Sequence, residues 1–165
     1  MNAAHVHLLL NHLPIIGILV GFIILVSGFV IKSALTKRIG NITLFFAAVF
    51  VYPSFNTGEG AEEVVENMPG VSEGLIEKHE EFAEQMVNFV TILLPLLLVT
   101  FYAEWKQKGF LKYAQWAVLF VSFIVIVYGK LVGTSGGEIR HTEIRTEKVK
   151  VNNLLMNEEI EQEGK

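Results

Sequence analysis

The sequence contains no cysteine and no aspartate among its 165 residues. The lack of cysteine excludes disulfides, thiolate metal sites, iron–sulfur clusters and covalent c-type haem attachment. A glycine-rich phosphate loop, a His-Glu-x-x-His zinc motif and a credible Ser–His–Asp arrangement are also missing. The formal charge of −4 argues against a nucleic-acid partner. Catalysis by this chain alone is therefore the least favoured function.

Long apolar runs dominate what is present, since 52% of the residues are hydrophobic. Four stretches stand out, at about 12–31, 42–55, 87–103 and 113–132. Crossing the hydrocarbon core takes about 20 helical residues, with about 17 as a lower limit. The second stretch is short, but its central run at 45–51 is too apolar for a loop. We therefore predict four spans, and the lack of mid-bilayer ionisable residues disfavours a channel or transporter.

The pattern predicts an all-α fold, an integral membrane antiparallel four-helix bundle over residues 1–147. Its helices are expected at about 7–32, 40–57, 73–104 and 112–134, followed by a polar, mobile tail at 148–165. Between the second and third spans we expect a turn at 57–60, a short helix at 61–67 and a turn at 68–70. Ser72 is the predicted N-cap of the third long helix. The first span lacks a basic start and is not expected to be a cleaved signal peptide.

Charge is divided unevenly between the connections. The two short connections hold six cations and one acid, whereas the long one holds nine glutamates and one cation, Lys78. The positive-inside tendency predicts that the short connections are cytoplasmic. The acidic connection and both termini then lie on the periplasmic side of a bacterial inner membrane. The C-terminal tail carries four cations interleaved with glutamate and argues the other way, but four spans place both termini together.

The five histidines all lie at the same predicted membrane face. His12 is expected at the boundary of the first span, because about 20 residues rising about 1.5 Å each separate it from Lys32. His79 shares a helix face with inward apolar residues, while His141 follows the fourth span. Imidazole is the commonest biological ligand for iron, copper and zinc, so the set predicts a cofactor site. The alternative is that interfacial histidines merely keep their polar ends in water.

Glycines at 129, 133, 136 and 137 follow helical spacing along the end of the fourth span. Small residues at this spacing either let another helix approach or make room for a flat cofactor, and the sequence leaves both open. Gly133, Gly136 and Gly137 are the candidate cofactor contacts. For Gly17 and Gly21 of the first span, plain helix packing is the favoured explanation.

Glutamates at 59, 62, 63 and 66 cluster after the second span. Glu59 and Glu63 are candidate metal ligands, because helical spacing allows two of these carboxylates on one face. The favoured interpretation of the cluster is nevertheless a solvated acidic face. The Glu-x-x-His motif of carboxylate-bridged di-metal bundles is absent around His79.

Four short motifs together resemble a known family. They are His7-Leu-Leu-Leu-Asn-His12-Leu-Pro14, Thr57-Gly58 with Ala61-Glu62-Glu63, His79-Glu80-Glu81, and Gly136-Gly137-Glu-Ile-Arg-His141. In order and spacing, over about residues 5–141, they resemble the four-helix bacterial membrane family catalogued as domain of unknown function 2231. The chain departs from that pattern with Leu rather than Pro after His7 and with a more polar segment before His141. The resemblance implies a four-helix membrane protein and leans toward b-type haem and electron transfer.

The sequence thus predicts a membrane-embedded, histidine-rich protein that binds haem b as an electron-transfer subunit. His12 and His79 are the expected axial ligands, with His7 and His141 as a second pair or as support. Arg140 and Arg145 are expected to meet the haem propionates. The alternatives are a non-haem Cu, Zn or Fe site built from these histidines with Glu59 or Glu63, and a cofactor-free structural subunit. The expected partners are the lipid bilayer and respiratory-chain or other membrane-complex subunits, and homodimerisation stays open.

Overall fold

The computed structural model describes residues 2–145. They form five α-helices and a short 3-10 turn: α1 Ala3–Val30, α2 Ala34–Asn56, α3 Gly58–Val65, α4 Glu73–Trp105, α5 Leu111–Arg140 and the turn Thr142–Ile144. Four of these helices, α1, α2, α4 and α5, are long and apolar enough to cross a membrane. The predicted all-helical class with four such segments is confirmed over this part of the chain. The tail at 148–165 lies outside the described residues.

Capping residues extend the helices beyond the predicted limits. Asn2 caps α1 by accepting a hydrogen bond from the His5 backbone N–H at 3.0 Å, so α1 begins at Ala3. Ser33 caps α2 in the same way, so that helix starts at Ala34 rather than near residue 40. The fourth long helix continues through the glycines at 133–137 and ends at residue 140. Each extension adds a polar end to an apolar span.

The connection between α2 and α4 differs from the prediction at its start. The predicted turn at 57–60 is wrong, because α3 begins at Gly58 directly after the Thr57 cap of α2. The predicted turn at 68–70 and the N-cap position of Ser72 are confirmed. As a result, α3 lies against the first turns of α1 and closes one end of the helix assembly.

The two short connections share one hydrogen-bond pattern. The Ser33 N–H donates to the Gly28 carbonyl at 3.0 Å, and the Lys108 N–H donates to the Ala103 carbonyl at 2.8 Å. The residue before each donor has a positive φ, 55° in the first connection and 49° in the second. These are Schellman motifs, which reverse the chain sharply at a helix C-terminus. The sharp reversal lets each long helix pack against the next one along the chain.

Glycines bring α1 and α2 into backbone contact. A Cβ added at any of them would meet the neighbouring helix: at Gly17 it would be 2.8 Å from Ala47 Cβ, at Gly21 2.9 Å from Leu44 N, at Gly28 2.6 Å from Lys37 N and at Gly40 2.6 Å from Leu25 N. Between apolar helices in lipid, close backbone approach supplies the packing energy that burial supplies in water. The packing role predicted for the first-span glycines is confirmed.

Apolar side chains fill the centre and also cover the outside. Leu25, Leu44 and Leu93 are fully buried in a core shared by all four long helices. Trp105 and Tyr113, by contrast, are 75% and 74% exposed, and they belong to a large set of exposed apolar side chains. A helix that is hydrophobic all round belongs in a large core or in a membrane. The exposed set therefore indicates a lipid bilayer around these helices.

Arg145 fastens the end of α5. Its guanidinium is buried, and it donates to the Glu138 carbonyl at 2.7 Å and to the Gly70 carbonyl at 2.7 Å. The first bond satisfies a carbonyl that the helix end leaves without an intrahelical partner. The second ties α5 to the turn before α4. Arg145 therefore has a structural role, and the expectation that it meets a haem propionate is corrected.

The close contact between Gly40 and Leu25 predicts that alanine at position 40 lowers the free energy of unfolding, whereas alanine at position 74 raises it. Gly40→Ala places a methyl group against the Leu25 backbone and should lower the free energy of unfolding by about 1–3 kcal/mol. Gly74→Ala is the matched control, because nothing lies within 4 Å of its added Cβ in α4. That change should raise the free energy of unfolding by about 0.5–1 kcal/mol. Denaturant unfolding in detergent measures both, and equal stability of the two variants would contradict the packing described.

Candidate functional site

The structure brings together two of the five histidines. His7, in the second turn of α1, and His79, in the second turn of α4, have ring centroids 6.5 Å apart and ring planes at 89°. Both side chains are half-buried. We call the end of the helices where they meet the histidine end. The two rings come from α1 and α4, which are far apart in sequence, so their meeting depends on the whole fold.

Hydrogen bonds fix the proton position on His7. Its Nδ1 lies 3.1 Å from the Ser54 carbonyl and 3.1 Å from Thr57 Oγ1. The Thr57 hydroxyl donates its hydrogen bond to the Ser54 carbonyl at 2.7 Å. Both neighbours are therefore acceptors, and Nδ1 must carry the hydrogen. The Nε2 of His7 is left with its lone pair.

The hydrogen bonds of His79 likewise indicate which of its ring nitrogens carries the hydrogen. Its Nδ1 lies 3.0 Å from Ser135 Oγ, and that hydroxyl donates to the Val132 carbonyl at 3.2 Å. The Ser135 oxygen therefore accepts a hydrogen bond from Nδ1–H, and Nε2 of His79 also keeps its lone pair. Histidines that bind a metal characteristically donate their other ring N–H to a carbonyl or another acceptor. In both rings Nδ1 is hydrogen-bonded and Nε2 keeps its lone pair, an arrangement compatible with metal binding.

Of the glycines predicted to form a cofactor surface, one contacts a histidine ring. A Cβ added at Gly136 would lie 2.9 Å from His79 Cε1, so the imidazole lies directly on the α5 backbone. A Cβ at Gly133 would have nothing within 4 Å, and one at Gly137 would meet Ile144 at 3.1 Å. Gly136 therefore positions His79, whereas its two neighbours do not contact the pair in this way.

Beneath the pair the structure changes from polar to apolar. Asn11 lies one helical turn below His7 on the same face of α1, and its buried Oδ1 has no hydrogen-bond partner among residues 2–145. Below it, between α1, α4 and α5, is a cavity of about 180 Å³ lined mainly by apolar side chains, including Ile15 and Met86, with Lys130 also in its wall. Gly129 forms the α5 wall of this cavity. The site thus consists of two imidazoles at the mouth of an apolar seam.

His12 does not join His79. It is exposed, and its Nδ1 lies 3.0 Å from the Leu8 carbonyl of its own helix. Five helical residues correspond to a rotation of about 140° relative to His7, so these two histidines cannot face the same neighbour. The expected His12–His79 pair is replaced by the His7–His79 pair.

His141 is also exposed and lies at the C-cap of α5. Its Nδ1 pairs with Glu143 Oε1 at 2.8 Å. Hydrogen bonds from its own backbone N–H and from His141 lower the pKa of the Glu143 carboxyl. Within residues 2–145 no group of three or more histidine or glutamate side chains converges closely enough to hold a metal ion. His141 therefore belongs to the exposed end of α5 rather than to the paired rings.

The acidic cluster lies on α3 beside the pair. Glu59 and Glu63 are exposed on this helix, and a Cβ added at Gly58 would lie 3.9 Å from His7 Cε1. Partial burial, and then the charge of Glu80 across on α4, raise the pKa of the Glu62 carboxyl. Carboxylates of α3 and α4 thus face each other and make the histidine end electronegative.

Lys78 and Arg140 at this end both contact other elements of the protein. Lys78 Nζ lies 3.2 Å from Glu138 Oε2, whose side chain is 6% exposed, so the ion pair links α4 to α5. Arg140 is exposed, and its Nη1 lies 3.0 Å from Met68 Sδ. Both contacts hold α4, α5 and the turn after α3 together around the histidines. Arg140 retains an exposed position from which its guanidinium can reach an anionic group.

Sequence reasoning did not identify the hydrogen-bond acceptors of the site. Ser54, Thr57 and Ser135 hold the two imidazoles, yet serine and threonine are common at helix ends and carry no distinctive spacing. The available signal is positional, because Ser135 stands beside Gly136 and Thr57 directly precedes Gly58. Comparison of the chain with known protein families, curated proteins and solved structures finds no match.

The contact with Gly136 generates a prediction for the His79 ring. Gly136→Ala should displace this imidazole from Ser135, because its added methyl group would overlap His79 Cε1. Nitrogen NMR of histidine-labelled protein should then show altered His79 signals and unaltered His12 signals. Gly133→Ala is the matched control in the same helix and should leave both sets unchanged. Unchanged His79 signals in Gly136→Ala would contradict the contact.

Proposed function

We propose that this protein is a multi-pass membrane bundle that binds b-type haem through His7 and His79 and serves as an electron-transfer subunit. The contacts support an antiparallel arrangement. Along α1 and α2, Gly17 meets Ala47 whereas Gly28 meets Lys37, so the numbering runs in opposite directions. Along α4 and α5, Met86 contacts Gly129 whereas His79 contacts Gly136, with the same reversal.

The observation that carries the haem proposal is the pair of oriented imidazoles. His7 and His79 would hold the haem iron from two different helices, with metal–nitrogen bonds of about 2.0–2.1 Å. The rings of His7 and His79 are 6.5 Å apart. Haem iron takes its protein ligands from side chains such as histidine, through a lone pair of an imidazole nitrogen. Two Nε2 lone pairs from different helices match that requirement.

The imidazole donors suit haem, whereas the cavity beneath them is small. Binding sites for cofactors are typically about 300–1,000 Å³, and the cavity beneath the pair measures about 180 Å³. Entry of a porphyrin therefore requires α1 and α5 to separate along this seam. When bound, the haem would supply one-electron redox chemistry. The carbonyl of Ser54 and the hydroxyls of Thr57 and Ser135 would keep the Nδ1 protons in place.

The proposed setting is a bacterial inner membrane with the histidine end on the periplasmic side. The opposite end carries six cations and one acid in its two connections, which is typical of a cytoplasmic face. Arg140, exposed at the histidine end, is the group we assign to a haem propionate. A site at this interface suits exchange of electrons with respiratory-chain or other membrane-complex subunits.

The proposal predicts which histidine substitutions abolish haem binding. His7→Ala and His79→Ala should each lose the haem absorbance of the purified protein, because each removes one axial ligand. His12→Ala and His141→Ala are matched controls, since both rings are exposed and bonded within their own segments. These two variants should keep wild-type haem content, measured per mole of protein. Retention of haem in both His7→Ala and His79→Ala would overturn the assignment.

The neighbouring α3 favours one alternative, a non-haem Cu, Zn or Fe site. Its contact with His7 through Gly58 places the sequence neighbour Glu59 at the histidine end. A carboxylate ligand favours harder metals, whereas imidazoles alone suit copper or zinc. Loss of stoichiometric metal in Glu59→Gln, with metal kept in Glu63→Gln and no haem bands in the wild type, would favour this alternative.

A further inference from the structure

A second site lies at the end of the helices opposite the histidines. An open groove of about 550 Å³ separates α1 from α5 there, and we call it the lysine groove. Its walls include two aromatic rings, three lysines and an amide: Phe29, Trp116, Lys32, Lys37, Lys112 and Gln115. The Phe29 and Trp116 rings are in contact, with centroids 4.9 Å apart and planes tilted by 42°. The groove is therefore aromatic on one side and cationic on the other.

The positive charge of the groove is uncompensated within the described residues. Lys37 Nζ donates to the buried Gln115 Oε1 at 3.2 Å and lies 5.2 Å from the Phe29 ring centroid. None of the three groove lysines has a carboxylate partner among residues 2–145. Glu104, close to the end of α4, is paired with Arg38 at 3.1 Å. An anion bound in the groove would compensate the charge of these lysines.

The N-termini of α2 and α5 add to the positive electrostatic potential of the lysine groove. The α2 helix begins at Ala34 with Lys37 in its first turn, and α5 begins at Leu111 with Lys112 in its first turn. Neither first turn contains an acidic residue. Helix N-termini carry partial positive charge and favour anions, so lysines at these positions repel the helix dipoles as well as each other. A bound anion would relieve both repulsions.

The surroundings favour a lipid over a soluble anion. The groove opens between two membrane-crossing helices, next to the strongly exposed apolar side chains of Val30 and Phe120. Tryptophan is enriched at the level of lipid headgroups, and basic pockets between transmembrane helices bind anionic headgroups. We propose that the lysine groove binds the phosphate of an anionic phospholipid, with its acyl chains lying on the exposed surface of α1 and α5.

Tryptophan fluorescence tests this proposal directly. The chain has two tryptophans, so Trp105→Phe leaves Trp116 in the groove as the single reporter. The full-length protein is reconstituted in vesicles containing phosphatidylglycerol or phosphatidylcholine with brominated acyl chains, which quench nearby tryptophan. Phosphatidylglycerol should quench Trp116 at a much lower mole fraction than phosphatidylcholine. Equal quenching by the two lipids would overturn the proposal.

Matched variants separate the groove from general surface charge. In the same background, Lys37→Gln with Lys112→Gln should weaken the preference for phosphatidylglycerol by about fivefold per lysine. Lys106→Gln with Lys108→Gln removes the same charge from the α4–α5 connection and should keep the preference. If the first variant does not fold, as judged by its helical circular dichroism, Lys32→Gln with Lys112→Gln replaces it. Equal losses in groove and control variants would contradict the site.

Inorganic phosphate distinguishes the lipid from a soluble anion. Added to vesicles that contain brominated phosphatidylglycerol, it should leave the quenching of Trp116 unchanged. Release of quenching by inorganic phosphate at concentrations matching the lipid would overturn the assignment to a phospholipid. The comparison of the two lipids does not rest on the haem proposal, because any haem at the histidine end would quench Trp116 equally in both lipids.

Discussion

Direct backbone contact between α1 and α2 sets the geometry on which the rest of the protein depends. In lipid, apolar helices gain little from burying side chains against each other, so their association needs close approach. Gly21 and Gly40 provide it by letting Leu44 and Leu25 reach the facing backbone. This contact fixes how far α1 slides along α2. It thereby places His7 beside the Ser54 carbonyl and Thr57, the acceptors that hold its Nδ1 proton.

The helices α4 and α5 position the His79 ring in a similar way. Gly136 has no side chain, and this leaves the space that the His79 ring occupies. The preceding Ser135 accepts the hydrogen bond from His79 Nδ1. The ion pair between Lys78 and Glu138 fixes α4 against α5 at the same level. α1 and α4 thus each present one imidazole with Nε2 unprotonated. The two rings meet between these helices, so a group bound by both rings would also hold α1 and α4 together.

Three helices were predictable because their apolar runs are long enough to cross a membrane, and the second because its central run is too apolar for a loop. The role of Gly17 and Gly21 followed from small-residue spacing. The sequence did not predict which of His7 and His12 would meet His79. Helical geometry sends these two side chains to different faces, and a depth argument alone favoured His12. The Asn2 cap lengthens α1 by a turn and brings His7 level with the end of α2. Acceptors such as Ser135 lie distant in sequence from the rings that they hold, so only the fold reveals them.

Opposite charge at the two ends gives the molecule a consistent polarity, acidic around the histidines and basic around the lysine groove. The central claim is that the His7–His79 pair ligates haem iron. Its most direct test is the dithionite-reduced minus oxidised visible spectrum of protein purified from its native membrane, with elemental analysis of the same sample. The account predicts a shifted Soret band with sharp α and β bands and iron in proportion to protein. A spectrum without haem bands, together with stoichiometric copper, zinc or iron, would contradict it.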